Sequence, residues 1–211
     1  MRKFFLVAML LTASLAVSLG QTPEVSRYEE AAGWDLPLYR GKLMPEYPFR
    51  FNGTYFWDNN GFRKGRVCFG GKIYDDINLN IDAARQAVYT RFQNRIQVWE
   101  LDRDLVEWLE IEGTKFVNLR AMGVKKAPEG FFEVLRDGEE MALRQITKVY
   151  RESIEINGYY LIGYSDPNYN DKIFAFYEQK EVFYFLNKKG GLEKFRSIKK
   201  LAKKHPDTQH K

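Results

Sequence analysis

Cysteine is almost absent from this chain of 211 residues. Because Cys68 is the only one, no disulfide can form within the chain, and the stability of the fold must come from packing and hydrogen bonding. Val67 and Phe69 flank Cys68 in an apolar run that is typical of a strand. We therefore predict a buried, unreactive thiol, and pairing with a second molecule is the alternative.

Histidine is also scarce, since His205 and His210 are the only two and both lie in the polar C-terminal tail. A Ser-His-Asp or Cys-His nucleophile needs an imidazole held within hydrogen-bond reach, which a terminal tail does not provide. One cysteine and two histidines are also too few for a His/Cys zinc site. We therefore predict no catalytic residue and no cofactor from these two residue types.

Carboxylates are plentiful, so a hydrolase that works through two carboxylates stays open. Asp75 and Asp76 follow each other in a predicted hairpin strand, and Asp102 and Asp104 bracket a predicted turn. Acidic residues at such places are typical of solvated turns and strand edges. We favour that interpretation for both pairs.

One acidic loop partly resembles a calcium site. Asp166, Asn168 and Asn170 match the opening of a calcium loop, in which alternate oxygen ligands converge on the ion. However, Asp171 stands where the loop needs glycine, and Tyr177 stands where it needs a bidentate glutamate. We favour a polar connection between strands, so the three residues are weak metal candidates.

A long apolar run occurs only at the N-terminus. Residues 1–20 begin with a basic head, continue in an apolar run over residues 4–17, and end with the small Ser18 and Gly20. This is the layout of a cleaved secretory signal, and the run is shorter than the ~20 residues that span a bilayer. We therefore predict an exported protein, periplasmic or at the cell surface or secreted, that is not transmembrane after signal cleavage.

Positive charge is concentrated near the C-terminus. The chain has 33 basic and 28 acidic residues, and residues 188–211 hold nine of the basic ones but only two of the acidic ones. The remainder of the chain is therefore not basic. Together with export, this distribution predicts that nucleic acid is not a partner.

Short strand-like runs, rich in Val, Ile, Tyr, Phe and Trp, follow one another from about residue 53 at a spacing of roughly 8–12 residues. Turn signals such as Gly70-Gly71 separate them. We predict an all-β fold, an antiparallel β-meander that forms a sandwich or a partly closed barrel. The polar residues 178–181 divide the last aromatic run into two predicted strands, at 173–177 and 182–186.

A short basic helix is predicted to close the chain. Leu192, Phe195, Ile198 and Leu201 recur every three residues, and lysines occupy the other faces. The predicted organisation is a signal at 1–20, an extended Pro-rich lead-in at 21–52, the β domain at 53–190, the helix at 191–205 and a tail at 206–211.

Aromatic runs in the last strands and the lysines of the helix form a candidate binding surface. Core packing of the aromatic rings and plain solvation of the lysines are the alternatives. The lysines could otherwise contact anionic headgroups or an acidic partner. The candidate residues are Tyr159, Phe174, Phe176, Phe183, Phe185, Lys199, Lys200, Lys203 and Lys204.

Several runs are similar to exported β-rich envelope proteins of Bacteroidota, a group with no assigned activity. The runs are residues 53–56 (GTYF), 62–67 (FRKGRV), 74–82 (YDDINLNID), 115–119 (KFVNL) and 131–135 (FFEVL), together with the signal and the lysine-rich end. The resemblance implies a periplasmic or cell-surface setting and brings no catalytic residues.

Our leading hypothesis is a non-enzymatic envelope module that binds an unknown envelope protein or an apolar or polymeric ligand. One alternative is a carboxylate-dependent hydrolase of envelope or environmental polymers, which a cleft with two facing carboxylates would support. The other is an open-barrel carrier of an apolar ligand, which a deep apolar cavity would support. The oligomeric state stays open.

Overall fold

The structure, a computed structural model, describes residues 33–47, 51–92, 95–156, 159–162 and 173–206. The predicted signal and the candidate metal ligands Asp166, Asn168 and Asn170 lie outside these ranges. By its internal contacts the chain divides into residues 1–36 and residues 37–211. The described part of the first unit holds a 3-10 turn at Gly33–Asp35, and the second unit holds the elements below.

The described part of the second unit is all-β apart from one short α-helix and two 3-10 turns, at Pro37–Tyr39 and Arg103–Leu105. Within it, twelve strands pair antiparallel in a single sheet, which confirms the predicted fold class. The strands are β1 Lys42–Leu43, β2 Arg63–Phe69, β3 Lys72–Asp82, β4 Ala87–Arg91, β5 Trp99–Glu100, β6 Val106–Ile111, β7 Thr114–Val117, β8 Phe132–Arg136, β9 Met141–Ile156, β10 Tyr159–Ile162, β11 Ile173–Leu186 and β12 Leu192–Phe195, and the helix is α1 Ile198–Lys204.

The hairpins β2–β3 and β6–β7 each have a two-residue turn. Gly70 and Gly71 join β2 to β3 with φ of 59° and 76°, a left-handed backbone that glycine adopts without steric cost. Glu112 and Gly113 join β6 to β7 in the same way, with φ of 48° and 80°. Such turns match the twist of the flanking strands, so they fix the register of both hairpins.

The sheet curls until two strands that are not neighbours meet. Its order is β1-β5-β4-β3-β2-β6-β7-β8-β9-β11-β12, with β10 paired to β9. Four strands therefore separate β3 from β9, yet the Lys148 amide of β9 donates to the Ala83 carbonyl just after β3, at 3.1 Å. We call this junction, where Phe56, Ala83 and Gln86 contact β9, the seam. It gives the sheet the form of a partly closed barrel.

Apolar side chains fill the interior of this barrel. Leu79, Ile81, Leu109 and Phe116 are buried there. The described interior holds a cavity of about 10 Å³, which is about the space of one water molecule. A second apolar cluster is formed by β8, β9, β11 and the segment just after β7. It includes Leu119, Phe132, Leu143 and Tyr184.

The predicted break in the last aromatic run is wrong. β11 runs unbroken through residues 178–181 and pairs along its whole length with β9, from Ile173 opposite Ile154 to Leu186 opposite Met141. The polar side chains do not interrupt the strand because its backbone is fully paired, and Arg151 of β9 bonds Glu178 at 3.0 Å.

The N-terminal limit of the predicted helix is also wrong. Residues Leu192–Phe195 form β12, and α1 begins only at Ile198. The Asn187 side chain accepts hydrogen bonds from the amides of Lys189 and Gly191, which turns the chain back along β11 before a helix can start. Ser197 then caps the helix.

The predicted lead-in at 21–52 is only partly extended where it is described. It holds the 3-10 turn at Pro37–Tyr39 and the strand β1, which pairs with β5. Pro37 starts the 3-10 turn because its fixed φ is suited to a first helical position.

Candidate functional site

A groove of about 1190 Å³ opens beside α1, on strands β6 to β9 and β11. Its walls combine charged, hydroxyl and apolar side chains from five strands and the helix. We call it the groove, and its lining residues are Glu110, Gly113, Thr114, Lys115, Glu133, Val134, Leu135, Arg136, Asp137, Arg144, Glu181, Phe183, Ile198, Lys199 and Ala202.

Arg144 organises the charges on the groove floor. β8, β9 and β11 are neighbours, and their register places Glu133 directly opposite Arg144. The Arg144 Nε and Nη2 atoms lie 2.9 and 2.6 Å from Glu133 Oε2, and its Nη1 lies 3.6 Å from Glu181 Oε1. One guanidinium therefore contacts both carboxylates and offsets part of their negative charge.

A second ion pair lies at the start of β7. Lys115 Nζ donates to Asp137 Oδ2 at 2.6 Å, and this bond holds the pKa of the Asp137 carboxyl below its usual range. Leu135 and Phe183 provide apolar surface beside these charges. A ligand with both polar and apolar groups would therefore find partners along the groove.

The helix wall is held in place by its apolar side. Leu201 is fully buried against Ala142 and Phe185 of the sheet. Because Leu201 points inward, Ile198 and Lys199 stand at the rim of the groove, and the Ile198 side chain is 42% exposed.

The predicted aromatic binding residues divide into two groups. Phe183 lines the groove, although it is only 7% exposed. Phe185 is buried beneath α1 and stacks on His205, with ring centroids 3.5 Å apart. It is therefore part of the core and not of an exposed binding surface. Phe176 is half-buried and its backbone bridges Asn52. Tyr159 and Phe174 lie on described strands, but their side chains lie outside the described part.

The predicted lysines are all exposed, as the sequence suggested. Lys199 lines the groove, and Lys200 and Lys203 lie beside it on the solvent side of α1. Lys204 bonds Glu193 of β12 at 2.8 Å. The structure therefore brings Phe183 and Lys199 together in one site, with the other lysines next to it.

The charged groove floor and a buried polar cluster at the seam were not predicted from the sequence. Asp82 is fully buried and accepts hydrogen bonds from the Tyr47 hydroxyl at 2.7 Å and from the amides of Ala84 and Arg85 at 2.8 Å. Burial raises the pKa of the Asp82 carboxyl. The charged residues inside otherwise apolar strands were the available signal for both features.

Lys148 completes the seam from β9. Its side chain is buried and donates to the Phe56 carbonyl, and burial lowers the pKa of its ammonium. Its bond and the Tyr47 bond of Asp82 join distant segments of the chain, so the cluster holds the two parts of the sheet together at the seam.

The described residues show no metal-binding cluster and confirm the buried thiol. Among them, no group of three or more His, Cys, Asp and Glu side chains is placed to hold a metal ion. Cys68 is buried as predicted, and burial raises the pKa of its thiol. In the part of the chain that the structure describes, no helix combines the length and the apolar character needed to cross a membrane.

No protein-family model, no curated protein and no solved structure matches this chain. Neither a family nor an activity is therefore transferred from a relative. The geometry of the groove is the basis for the function that follows.

Proposed function

We propose that this protein is an exported, non-enzymatic envelope module that binds a partner or a polymeric ligand in the groove beside α1. The observation that carries the proposal is the groove itself. It unites Phe183 and Lys199, two residues of the predicted binding surface, with two ion pairs and apolar side chains.

The size and form of the groove favour an extended ligand. Pockets for small molecules enclose about 300–1,000 Å³ and bury most of the ligand. The groove here measures about 1190 Å³, and it opens to solvent. A segment of a polymer or of a partner chain suits such a shape better than a small compact molecule.

The two alternatives have less support from the described residues. A carrier needs an apolar cavity of several hundred Å³, whereas the interior cavity that Ile81 and Phe116 line measures about 10 Å³. A two-carboxylate hydrolase needs space for substrate between its carboxylates, whereas Arg144 contacts both Glu133 and Glu181.

Export and the Bacteroidota envelope setting belong to the same proposal. They rest on the layout of residues 1–20 and on the resemblance of the strand runs. The experiment below therefore starts from cell fractions, so that it also tests where the protein resides.

Filling the groove should release the ligand. Thr114 lines the groove and is half-buried, so Thr114→Trp adds a large side chain there without emptying the core. We expect the tagged wild-type protein, purified from its native envelope, to carry a ligand that mass spectrometry detects as protein, lipid or glycan. The Thr114→Trp variant should recover about tenfold less of it.

Thr147→Trp is the matched control. Thr147 is also half-buried on a strand, but it does not line the groove, so this variant should keep the ligand. Recovery of the wild-type protein without any ligand, or equal recovery in both variants, would contradict the proposal. Recovery of the protein only from the cytosol would contradict its envelope setting.

A further inference from the structure

We propose that the basic surface next to the groove binds an acidic polysaccharide, which names the ligand class for the binding module proposed above and rests on that function. Three exposed lysines of α1, Lys199, Lys200 and Lys203, form this surface, which we call the cationic face. None of the three has an ion pair with a carboxylate in the described ranges.

Elsewhere on the described surface, many exposed cations are matched by carboxylates. Lys64 bonds Asp76 at 2.8 Å, and Arg66 bonds Asp75 at 2.5 Å on the β2–β3 hairpin. A cation paired in this way attracts a distant anion only weakly, because its field is largely cancelled. The cationic face differs because three lysines on one short helix lie close together without such a partner in the described part of the chain.

The only carboxylate of β12 and α1 does not change this balance. Glu193 accepts a hydrogen bond from Lys204 at 2.8 Å, which holds the pKa of its carboxyl below the usual range. His205 lies on the same oxygen, at 3.5 Å. Glu193 is therefore already engaged by residues outside the cationic face.

The spacing of the cations suits a linear chain that carries repeated charges. Lys199 and Lys203 are one helical turn apart on α1, about 6 Å. Since Lys199 also lines the groove, a chain bound to the cationic face would continue into the groove.

A bilayer surface fits this region less well. Interfacial helices insert an apolar face between lipid headgroups. The apolar residues Leu201 and Ala202 of α1 are already buried, which leaves only Ile198 exposed. The helix therefore has no apolar face to offer a membrane.

A nucleic acid also lacks its usual contacts here. Single strands bind to exposed aromatic rings on which successive bases stack. Phe183 and Phe185 are buried, and the Phe185 ring is covered by His205. Hydroxyl and carboxyl groups of a sugar chain, by contrast, find the lysines together with Thr114 and Glu110 of the groove.

Binding of the purified protein to immobilised polygalacturonate tests the inference, with neutral dextran as the uncharged control. We expect saturable binding to polygalacturonate that weakens steeply with added salt, and none to dextran. The triple variant Lys199→Glu, Lys200→Glu, Lys203→Glu should bind at least about tenfold more weakly, since three attractions become repulsions.

The matched control reverses three charges at the other end of the strand order. Arg40, Lys42 and Arg95 are exposed and have no ion pair in the described part of the chain. Changing all three to Glu should leave the affinity within about twofold.

Three results would overturn the inference. They are absence of binding at low salt, equal binding by the cationic-face variant and wild type, and tighter charge-dependent binding to single-stranded DNA or phosphatidylglycerol vesicles. If polygalacturonate fails while Thr114→Trp still removes a native ligand, the groove proposal stands and only the polysaccharide assignment falls.

Discussion

Asp82 carries a carboxylate that is enclosed by the fold and accepts three hydrogen bonds. Two of them come from backbone amides of the turn after β3, and the third comes from Tyr47. These bonds favour the charged form, but burial outweighs them and raises the pKa of the carboxyl above its ordinary value of 3.8. The residue therefore links the stability of the seam to pH.

The stability of the wild type relative to Asp82→Asn should fall as the pH rises. The folded protein keeps the Asp82 proton at a pH where the unfolded chain has lost it. This contribution is complete below the unfolded pKa of 3.8 and is lost as the pH rises through the higher folded pKa. Urea unfolding at about pH 3 and about pH 7 measures this difference. The free energy of unfolding of Asp82→Asn, relative to that of the wild type, should be higher at about pH 7 than at about pH 3.

Asp137→Asn is a control of opposite sign. Lys115 lowers the pKa of Asp137, so its contribution is present above the unfolded pKa and is lost as the pH falls through the folded one. The free energy of unfolding of this variant, relative to that of the wild type, should be lower at about pH 7 than at about pH 3. If both variants change in the same direction, the burial argument for Asp82 is wrong.

Burial of single residues was only partly predictable from the sequence. The alternation at residues 78–81 predicts Leu79 and Ile81 inside and Asn78 and Asn80 outside. Leu79 and Ile81 are indeed buried, but so is Asn80, whose side chain donates to the carbonyls of Asn59 and Gly61. A loop from before β2 covers the outer face here, and local periodicity contains no information about such long-range coverage.

At the scale of the elements, the stability of α1 comes mainly from one apolar contact with the sheet. It has seven residues, which is too short for an isolated helix to be stable in water. Leu201 is completely buried against Ala142 and Phe185. The helix, and with it the wall of the groove, is therefore held by packing.

Leu201→Ala should destabilise the protein by about 2–4 kcal/mol, because it leaves a cavity between α1 and the sheet. Ile198→Ala on the same helix should cost below about 0.5 kcal/mol, because that side chain is 42% exposed. Thermal or chemical unfolding of both variants measures the difference. Equal losses would show that the helix is not anchored through Leu201.

Hairpins were the elements that the sequence predicted best. Gly70-Gly71 is a local signal, and the turn forms as predicted. The continuity of β11 was missed because residues 178–181 are polar, and their strand conformation depends on pairing with β9. Strand β12 was missed because its two apolar residues also fit a helical spacing.

On the scale of the whole molecule, Gln86 joins the two parts of the sheet at the seam. Its Nε2 donates to the carbonyls of Ala83 and Ile146 at 2.8 and 2.9 Å. Its Oε1 accepts from the Phe131 amide at 3.3 Å and from the Gln145 side chain at 3.2 Å. One side chain thus satisfies polar groups from three separate segments.

Gln86→Ala should cost about 3 kcal/mol of unfolding free energy, because buried polar groups lose their partners. Gln179→Ala is the control, since Gln179 is exposed and its side chain bonds only the neighbouring Glu181 among the described residues. Its effect should stay below about 0.5 kcal/mol. If the unfolding curves of the two variants coincide, the Gln86 side chain does not stabilise the seam.

The groove could not have been located from the sequence, although two of its residues were predicted. Its lining extends from Glu110 to Ala202, and only the pairing of β8, β9 and β11 brings Glu133, Arg144 and Glu181 together. Strand order is a property of long-range pairing, and alternation along one strand does not determine it.

The seam also has a consequence for when the protein can fold. Gln86 and Ile146 are 60 positions apart, so the contacts of the seam cannot form until β9 has been synthesised. Contacts of such long sequence separation form slowly, because loop closure must precede any gain from packing. A chain that is to cross a membrane before folding benefits from this delay, and the architecture is therefore compatible with the export that we propose.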